Sequence, residues 1–319
     1  MGLKIKKKPA HMTKIGGQAL IEGVMMRGPK EYGIAVRKPD GEIELKKRPV
    51  DNFTTKHKLF KLPFVRGVVS LLEAMVLGMK SLMYSAEFFE DEDGEEAEKG
   101  KFEMFLERKL GDRFPDIAIY LAVAISIVLS VVVFMLIPTF VTSFFRRWIE
   151  SGTALNILEG FIRVSIFLVY LFSVSKLDDI KRVFQYHGAE HKTIHCYENR
   201  EELTVENVKK YPILHPRCGT SFLFNVMIVS IVVFSLFGWP SPLMRFATRI
   251  ALFPLVGGIA YEINRIIGKS DSKLAYALSY PGLMIQNYAT TREPDDDQIE
   301  VAIEALKLVL VEDEEADKW

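Results

Sequence analysis

The sequence is short of cysteine, of net charge and of repetition, and each shortage excludes something. Two cysteines in 319 residues are too few for a disulfide scaffold. Its 49% hydrophobic content rules out a disordered tail, and no glycine–proline period suggests a collagen-like fibre. Forty-one basic side chains stand against 41 acidic ones, so no excess of Lys and Arg calls for a phosphate backbone, and DNA is not expected as a partner. No internal repeat or low-complexity tract stands out. The opening MGLKIKKKPA leads into glycines and polar residues, unlike the apolar core of a cleaved signal peptide. It also lacks the downstream Ser or Thr of a myristoylation motif.

What is present is a strong division of hydropathy. The mean hydropathy of +0.13 averages long uncharged stretches with segments as polar as any soluble protein. Residues 117–145 hold no charged side chain over 29 positions, where about 20 apolar residues suffice to cross a bilayer core. A second uncharged run covers 218–244, with its apolar centre at 222–237. Two weaker candidates contain charges: 155–175 carries Glu159 and Arg163, and 246–267 carries Arg249 and Glu262. Four spans return the chain to its starting side; buried or re-entrant helices are the alternative for the weaker pair. Lys176, Lys181 and Arg182 mark one side, against Arg146, Arg147 and Arg245 on the other. By the positive-inside rule both termini should be cytoplasmic, in a multi-pass membrane protein.

Among the polar segments, GIAVRK and EIELKK flank Pro39-Asp40-Gly41, which predicts a β-hairpin with Ile34, Val36, Ile43 and Leu45 able to pack. Residues 64–89 form a helical pattern with Arg66, Glu73, Lys80 and Glu87 at sevenfold spacing; the spacing leaves open whether this helix lies in the membrane interface or packs on the spans. The acidic run at 90–101 reads as a solvated linker. Asp295 and Gln298 have capping-box spacing ahead of Ile299, Ala302, Ile303, Leu306, Val309 and Leu310, a one-face pattern for an amphipathic helix. The stretch 274–291, with Pro281-Gly282 inside it, reads as a broken interfacial helix.

Four of the six histidines fall within 29 residues: His187, His191, His195 and His215. On a helix, His187, Glu190 and His191 share one narrow face, and imidazoles four residues apart can grip one ion. Glu190 is then placed to hold a water. This is the H-x-x-E-H order of certain zinc hydrolases, although Gly188 is a poor helix-interior residue. His195 lies too far along the axis to join the same ion easily; it serves a second site or is an ordinary interfacial histidine. Further ligands are expected from His215, Cys218 or Glu262. A closed set of His187, His191, His215 and Cys218 would argue for a structural zinc, since catalysis needs an open position. Glu262 finds either a metal or an arginine, Arg265 or Arg249. Glu159 and Arg163 most simply neutralise one another, and Glu22 is either part of a turn or a carboxylate delivered to the site.

Five strings in order, GGQALIEGVMMRGP, HGAEHKTIHCYE, HPRCGTSF, YEINR and TTREPDDDQIEVAIEAL, resemble the YqhQ-like family of bacterial membrane proteins. They run from Gly16 to Leu306, nearly the whole chain. The resemblance implies membrane location and a metal site built from His187, Glu190 and His191 in a predicted metal-dependent enzyme of unassigned activity. It names no substrate.

The expected fold is mainly α: a polytopic membrane protein of about four transmembrane helices, with a small cytoplasmic α+β part containing a β-hairpin. Residues 1–63 hold a glycine-rich loop and the hairpin, and 64–115 the amphipathic helix and acidic linker. Residues 116–270 hold the four-span membrane domain with its His-rich cytoplasmic connection at 176–219, and 271–319 the cytoplasmic or interfacial C-terminal segment. The expected function is a zinc-dependent (or other divalent-metal) hydrolase at the cytoplasmic membrane interface. Glu190 would be its base, acting on a peptide, an amide or a lipid-linked small molecule. The principal rival is a non-enzymatic scaffold or biogenesis factor, with KIKKK and the hairpin docking on anionic lipid, a ribosome or a translocation partner. A transporter drawing on Glu159, Arg163, Arg249 and Glu262 is a third class.

Overall fold

A computed structural model of the chain describes residues 9–50, 58–89, 114–270, 272–311 and 314–318. The KIKKK string and the acidic run at 90–101 lie outside the described residues. The chain forms two compact units, each assembled from separated stretches. One gathers Met1–Phe88, Leu171–Ser230 and Ile250–Trp319, the other Phe89–Tyr170 and Ile231–Arg249.

The first unit is built on a four-stranded antiparallel meander in the order β1-β2-β3-β4, with β1 Gly16–Leu20, β2 Gly23–Arg27, β3 Glu31–Arg37 and β4 Ile43–Pro49. The expected hairpin is β3–β4, closing from the Arg37–Ile43 pair. The glycine-rich stretch before it is not a loop but the β1–β2 hairpin, in which Gln18 pairs with Met25 and Leu20 with Gly23. Its two-residue turn places Glu22 at φ 48°. The Glu22 carboxylate binds the Arg182 guanidinium and accepts from the Tyr186 hydroxyl at 3.1 Å, so Glu22 ties a turn down.

The period of two gives the sheet two working faces. Val24, Met26 and Ala35 join the core with Tyr186, Ala189, Ile299, Ala302 and Leu306. These come from α5 (Asp178–Glu198) and α10 (Asp296–Lys307). The opposite face meets α1 (Val65–Ala86): Gln18 lies against Gly78, Lys46 Nζ sits 3.4 Å over the Tyr84 ring, and the Ile21 amide donates to Ser85 Oγ at 3.3 Å. Small residues on one side of α1, Gly67, Gly78, Ser81 and Ser85, are buried, which lets the backbones approach. The charged stripe of α1 is partly consumed by ion pairs, Arg66 with Glu262 and Glu73 with Arg27.

At α10 the capping box is complete. Asp295 accepts from the Gln298 amide at 2.9 Å, and Gln298 accepts from the Asp295 amide at 3.1 Å. Before it, α9 (Lys273–Ile285) runs straight through Pro281; the regular helix gives way later, in a π-helical turn at Gln286–Thr290. The remaining helices are α2 (Phe114–Val131) and α3 (Ile137–Phe145), joined by a π-helical turn at Val132–Leu136, then α4 (Gly152–Val174), α6 (Val205–Lys209), α7 (Gly219–Ser235), α8 (Pro242–Gly268) and α11 (Glu314–Asp317).

Among the described residues, four helices are long and apolar enough to cross a membrane: Val65–Ala86, Leu121–Phe145, Gly152–Val174 and Pro242–Gly268. The set differs from expectation. The uncharged run at 218–244 makes only a 17-residue helix, α7, about 25 Å long and at the short limit for a span. The two charged candidates are long helices because their charges find partners. In the second unit Glu159, 1% exposed, accepts from Arg163 and from Thr139 at 2.8 and 2.9 Å and pairs with Arg249 at 2.6 Å. Arg163 also donates to the Phe134 carbonyl at 2.9 Å, in the π-helical turn. Arg249 therefore serves Glu159, and Glu262 in α8 takes Arg66 of the first unit.

Candidate metal centre

Helix α5 carries the site. Asp178 and Asp179 occupy its first turn, where carboxylates favour the positive end of the helix dipole, and its 3.6-residue period stacks His187 on His191, ring centroids 4.4 Å apart. Each ring is pinned from behind by a main-chain carbonyl. His187 Nδ1 donates to Thr290 O at 2.7 Å and His191 Nδ1 to Ile213 O at 2.6 Å. A carbonyl accepts only, so the protons sit on Nδ1 and both Nε2 atoms are turned to the other side. There they meet Cys218. Ligand atoms of His187, His191 and Cys218 all lie within 4.8 Å of one another, and tetrahedral bonds of about 2.0–2.1 Å to nitrogen and about 2.3 Å to sulfur are compatible with that spread. Outer hydrogen bonds that fix the tautomer and aim of ligating histidines are the usual support of a metal site.

The electrostatics of the trio are those of a deprotonated thiol. Burial works against a charge on His187, but the thiolate beside it, Nε2 to Sγ 3.2 Å, outweighs burial and raises the imidazole to about 9. Burial likewise pushes the Cys218 thiol up, and His187 and His191 pull it well below the ordinary thiol range.

Glu190 completes the constellation. Its Oε1 accepts from the Gly17 amide at 2.9 Å, while Oε2, buried, has no hydrogen-bond partner among the described residues. Burial raises its pKa above the usual carboxylate value. Two glycines permit this approach. A Cβ on Gly17 would lie 2.5 Å from Met25 O and 3.1 Å from Glu190 Cδ, and one on Gly188 would lie 2.0 Å from Arg292 O. Gly188 thus marks neither a start nor a distortion of the helix; it is where the Thr290–Arg292 segment crosses α5 and delivers the carbonyl that holds His187.

His215 does not join His187, His191 and Cys218 in closing a tetrahedron. It belongs with His195 and Glu198, whose ligand atoms form a second group within 4.8 Å. That group has its own counter-charge, since Glu198 binds the Arg217 guanidinium, accepts from the Thr13 amide at 3.0 Å and stands 3.6 Å from His215 Nε2. Burial, followed by the Arg217 cation, pushes His215 well below the normal imidazole value. Its backbone is clasped on both sides by Gln286 at 2.9 Å. Glu262 is in neither group; it is paired with Arg66, Nε at 2.6 Å. Sequence reasoning missed Gly17, Glu198, Arg217 and the carbonyls of Ile213 and Thr290. Only Glu198 left a signal, seven residues after His191 on the same stripe.

The three converging ligands and Glu190 open into a cavity of about 590 Å³, lined also by Gly17, Met25 and Leu77. That volume falls in the range of about 300–1,000 Å³ usual for small-molecule sites.

No solved structure matches the chain. The uncharacterized protein YqhQ of Bacillus subtilis (strain 168) is 38% identical over 317 residues, covering 96% of this chain and 94% of that one. Residues 62–312 match the family described as "Protein of unknown function (DUF1385)". With both likenesses extending over most of its length, the chain belongs to this YqhQ-like family of unknown function.

Proposed function

We propose that the protein is a membrane-embedded, metal-dependent hydrolase whose site faces the cytoplasm of a bacterial cell at the inner membrane. One observation carries the reading: two carbonyl-pinned imidazoles and a thiolate converge beside a buried carboxylate oxygen that has no partner among the described residues. Three protein ligands leave a coordination position open, as in catalytic rather than structural zinc sites. A divalent ion held by His187 Nε2, His191 Nε2 and Cys218 Sγ would supply the Lewis acidity that activates water and polarises a carbonyl. Glu190 does the proton work. Its unpartnered Oε2 takes a proton from the attacking water and returns it to the departing nitrogen or oxygen. The bond to the leaving atom breaks, and the carbonyl carbon gains the hydroxyl. Burial holds this carboxyl above its ordinary pKa, which strengthens it as a proton acceptor. The Gly17 amide holds the other oxygen and fixes the direction of attack. The helices Leu121–Phe145, Gly152–Val174 and Pro242–Gly268, long and apolar enough to span, with the Lys and Arg asymmetry of the connections, support the location.

The test is metal content and hydrolysis of a p-nitrophenyl acyl ester series by the purified full chain. Wild type should retain about one equivalent of zinc, His191→Ala and Cys218→Ser should lose it, and Glu190→Gln should keep the metal and lose the activity. Undiminished zinc in His191→Ala overturns the ligand assignment. The 3.2 Å contact between His187 and Cys218 also favours a second reading, a thiolate nucleophile with an imidazolium partner. In that case activity survives chelation and Cys218 becomes acylated.

A further inference from the structure

The cavity beside Glu190 has a mixed lining. Glu190, His191 and Cys218 share it with apolar Met25 and Phe184, with Ala74 and Leu77 of α1, and with Arg27. Ala74 lies on the same side of α1 as Gly78, Ser81 and Ser85, which are buried, but is itself exposed and lines the cavity. The reverse side of α1 is a continuous apolar strip of Leu72, Met75, Val76, Met79 and Met83, each more than half exposed.

Although α1 is long enough to cross a bilayer, what it carries forbids it. Glu73 is paired with Arg27 of β2 at 3.2 Å, Lys46 of β4 rests on Tyr84, and Ser85 bonds the β1–β2 turn. Threading α1 through hydrocarbon would drag those charged strands with it, at a cost of several kcal/mol per charge. A helix with one apolar strip and one occupied side lies in the interface plane with the strip in the acyl boundary. The cavity is then separated from lipid by the thickness of a single helix, about 10 Å.

We infer that the substrate is an acyl-chain amphiphile. Its chain lies along Ala74 and Leu77, and its carbonyl linkage is presented to Glu190. This rests on the hydrolase reading and narrows it to membrane-derived substrates. Apolar contact with the α1 side chains fixes the chain; Glu190 and the ligand trio hold the bond to be cut.

The experiment uses the full chain in lipid nanodiscs and a twelve-carbon hydroxamate bearing a terminal diazirine, with labelled positions mapped after photolysis. Labelling is expected at Ala74, Leu77 and Gln18 on the cavity side as well as on the lipid-facing Met75 and Met79. Ala74→Trp, at an exposed position, should cut cavity-side labelling roughly fivefold, about what denying contact to one or two methylenes does to occupancy, and leave Met75 and Met79 labelling unchanged. Leu77→Trp is the second variant. Labelling confined to Met75 and Met79, or cavity-side labelling undiminished in both variants, overturns the inference. A parallel sample treated with a chelator separates the two readings. Cavity-side labelling that is the same with and without chelator, in a protein that retains no zinc, removes the metal and leaves the amphiphile site standing. Retained zinc without cavity-side labelling does the reverse.

Discussion

Gly188→Ala sets two effects of opposite sign against each other at the point where the site is assembled. Alanine in place of glycine inside a helix gains about 1 kcal/mol. Against this, the new methyl carbon would stand 2.0 Å from the Arg292 carbonyl oxygen and 3.3 Å from Ile213 Cγ2. A carbon–oxygen contact needs about 3.3 Å, so the Thr290–Arg292 segment must retreat by more than about 1 Å. Two hydrogen bonds cross that gap, from the Arg292 amide to Phe184 O at 2.9 Å and from His187 Nδ1 to Thr290 O at 2.7 Å. Losing them costs about 1–3 kcal/mol, and overpacking a further 1–3 kcal/mol, roughly. The steric side wins, with a net loss of about 1–5 kcal/mol once the propensity gain is subtracted. Thermal denaturation followed by circular dichroism in detergent should show a midpoint lowered by about 2–7 °C. Zinc retention should fall as well, because His187 loses the carbonyl that orients it. A variant that melts at or above the wild-type temperature with its full complement of zinc refutes the account of why this helix carries a glycine.

Other perturbations probe separate parts of the argument. Breaking the Glu198–Arg217 pair, 1% and 9% exposed at the side chains, with either Glu198→Ala or Arg217→Ala should destabilise by about 3–5 kcal/mol, because each leaves a buried charge uncompensated. The double replacement by Leu should recover part of that loss in denaturant titration, and no recovery would show that the pair is not the source. In chelator-treated protein at pH 7, iodoacetamide should modify Cys218, held as thiolate well below its ordinary range, and spare Cys196, which burial pushes up to about 11. The His187 cation has its pKa raised, so its support for the thiolate is complete below about 6.5 and is lost as pH rises through about 9. His187→Ala should therefore slow alkylation at pH 7, and zinc should block it in wild type; equal rates in wild type and variant contradict the pairing. Asp295→Ala removes the acceptor of the capping box and should cost about 1 kcal/mol by the same melting assay.

Several elements were legible in the sequence because their cause is local. The helix bearing His187, Glu190 and His191 follows from spacing within one turn, the α10 start from Asp295 and Gln298 three residues apart, and the β3–β4 hairpin from alternation about a turn tripeptide. The β1–β2 hairpin was obscured by its glycines, which read as loop until the close pass of Gly17 over Glu190 explains one of them. In the same way the uncharged run at 218–244 promised more helix than α7 contains, and Pro281 promised a break that falls instead at Gln286–Thr290.

The sequence by itself determined which side chains share a face of one element, since the periods of 3.6 and 2 are properties of the backbone. Only the tertiary structure decided which of His215, Cys218 and Glu262 meets His187 and His191. Cys218 is 31 residues from His187 and the Thr290 carbonyl 103; no local period reaches so far. Their positions depend on how α5 packs against the sheet and against the turn that ends α9. The same packing put His215 beside Glu198 and gave Glu198 to Arg217 and Glu262 to Arg66, because a charge removed from water settles on whichever opposite charge the fold brings within reach.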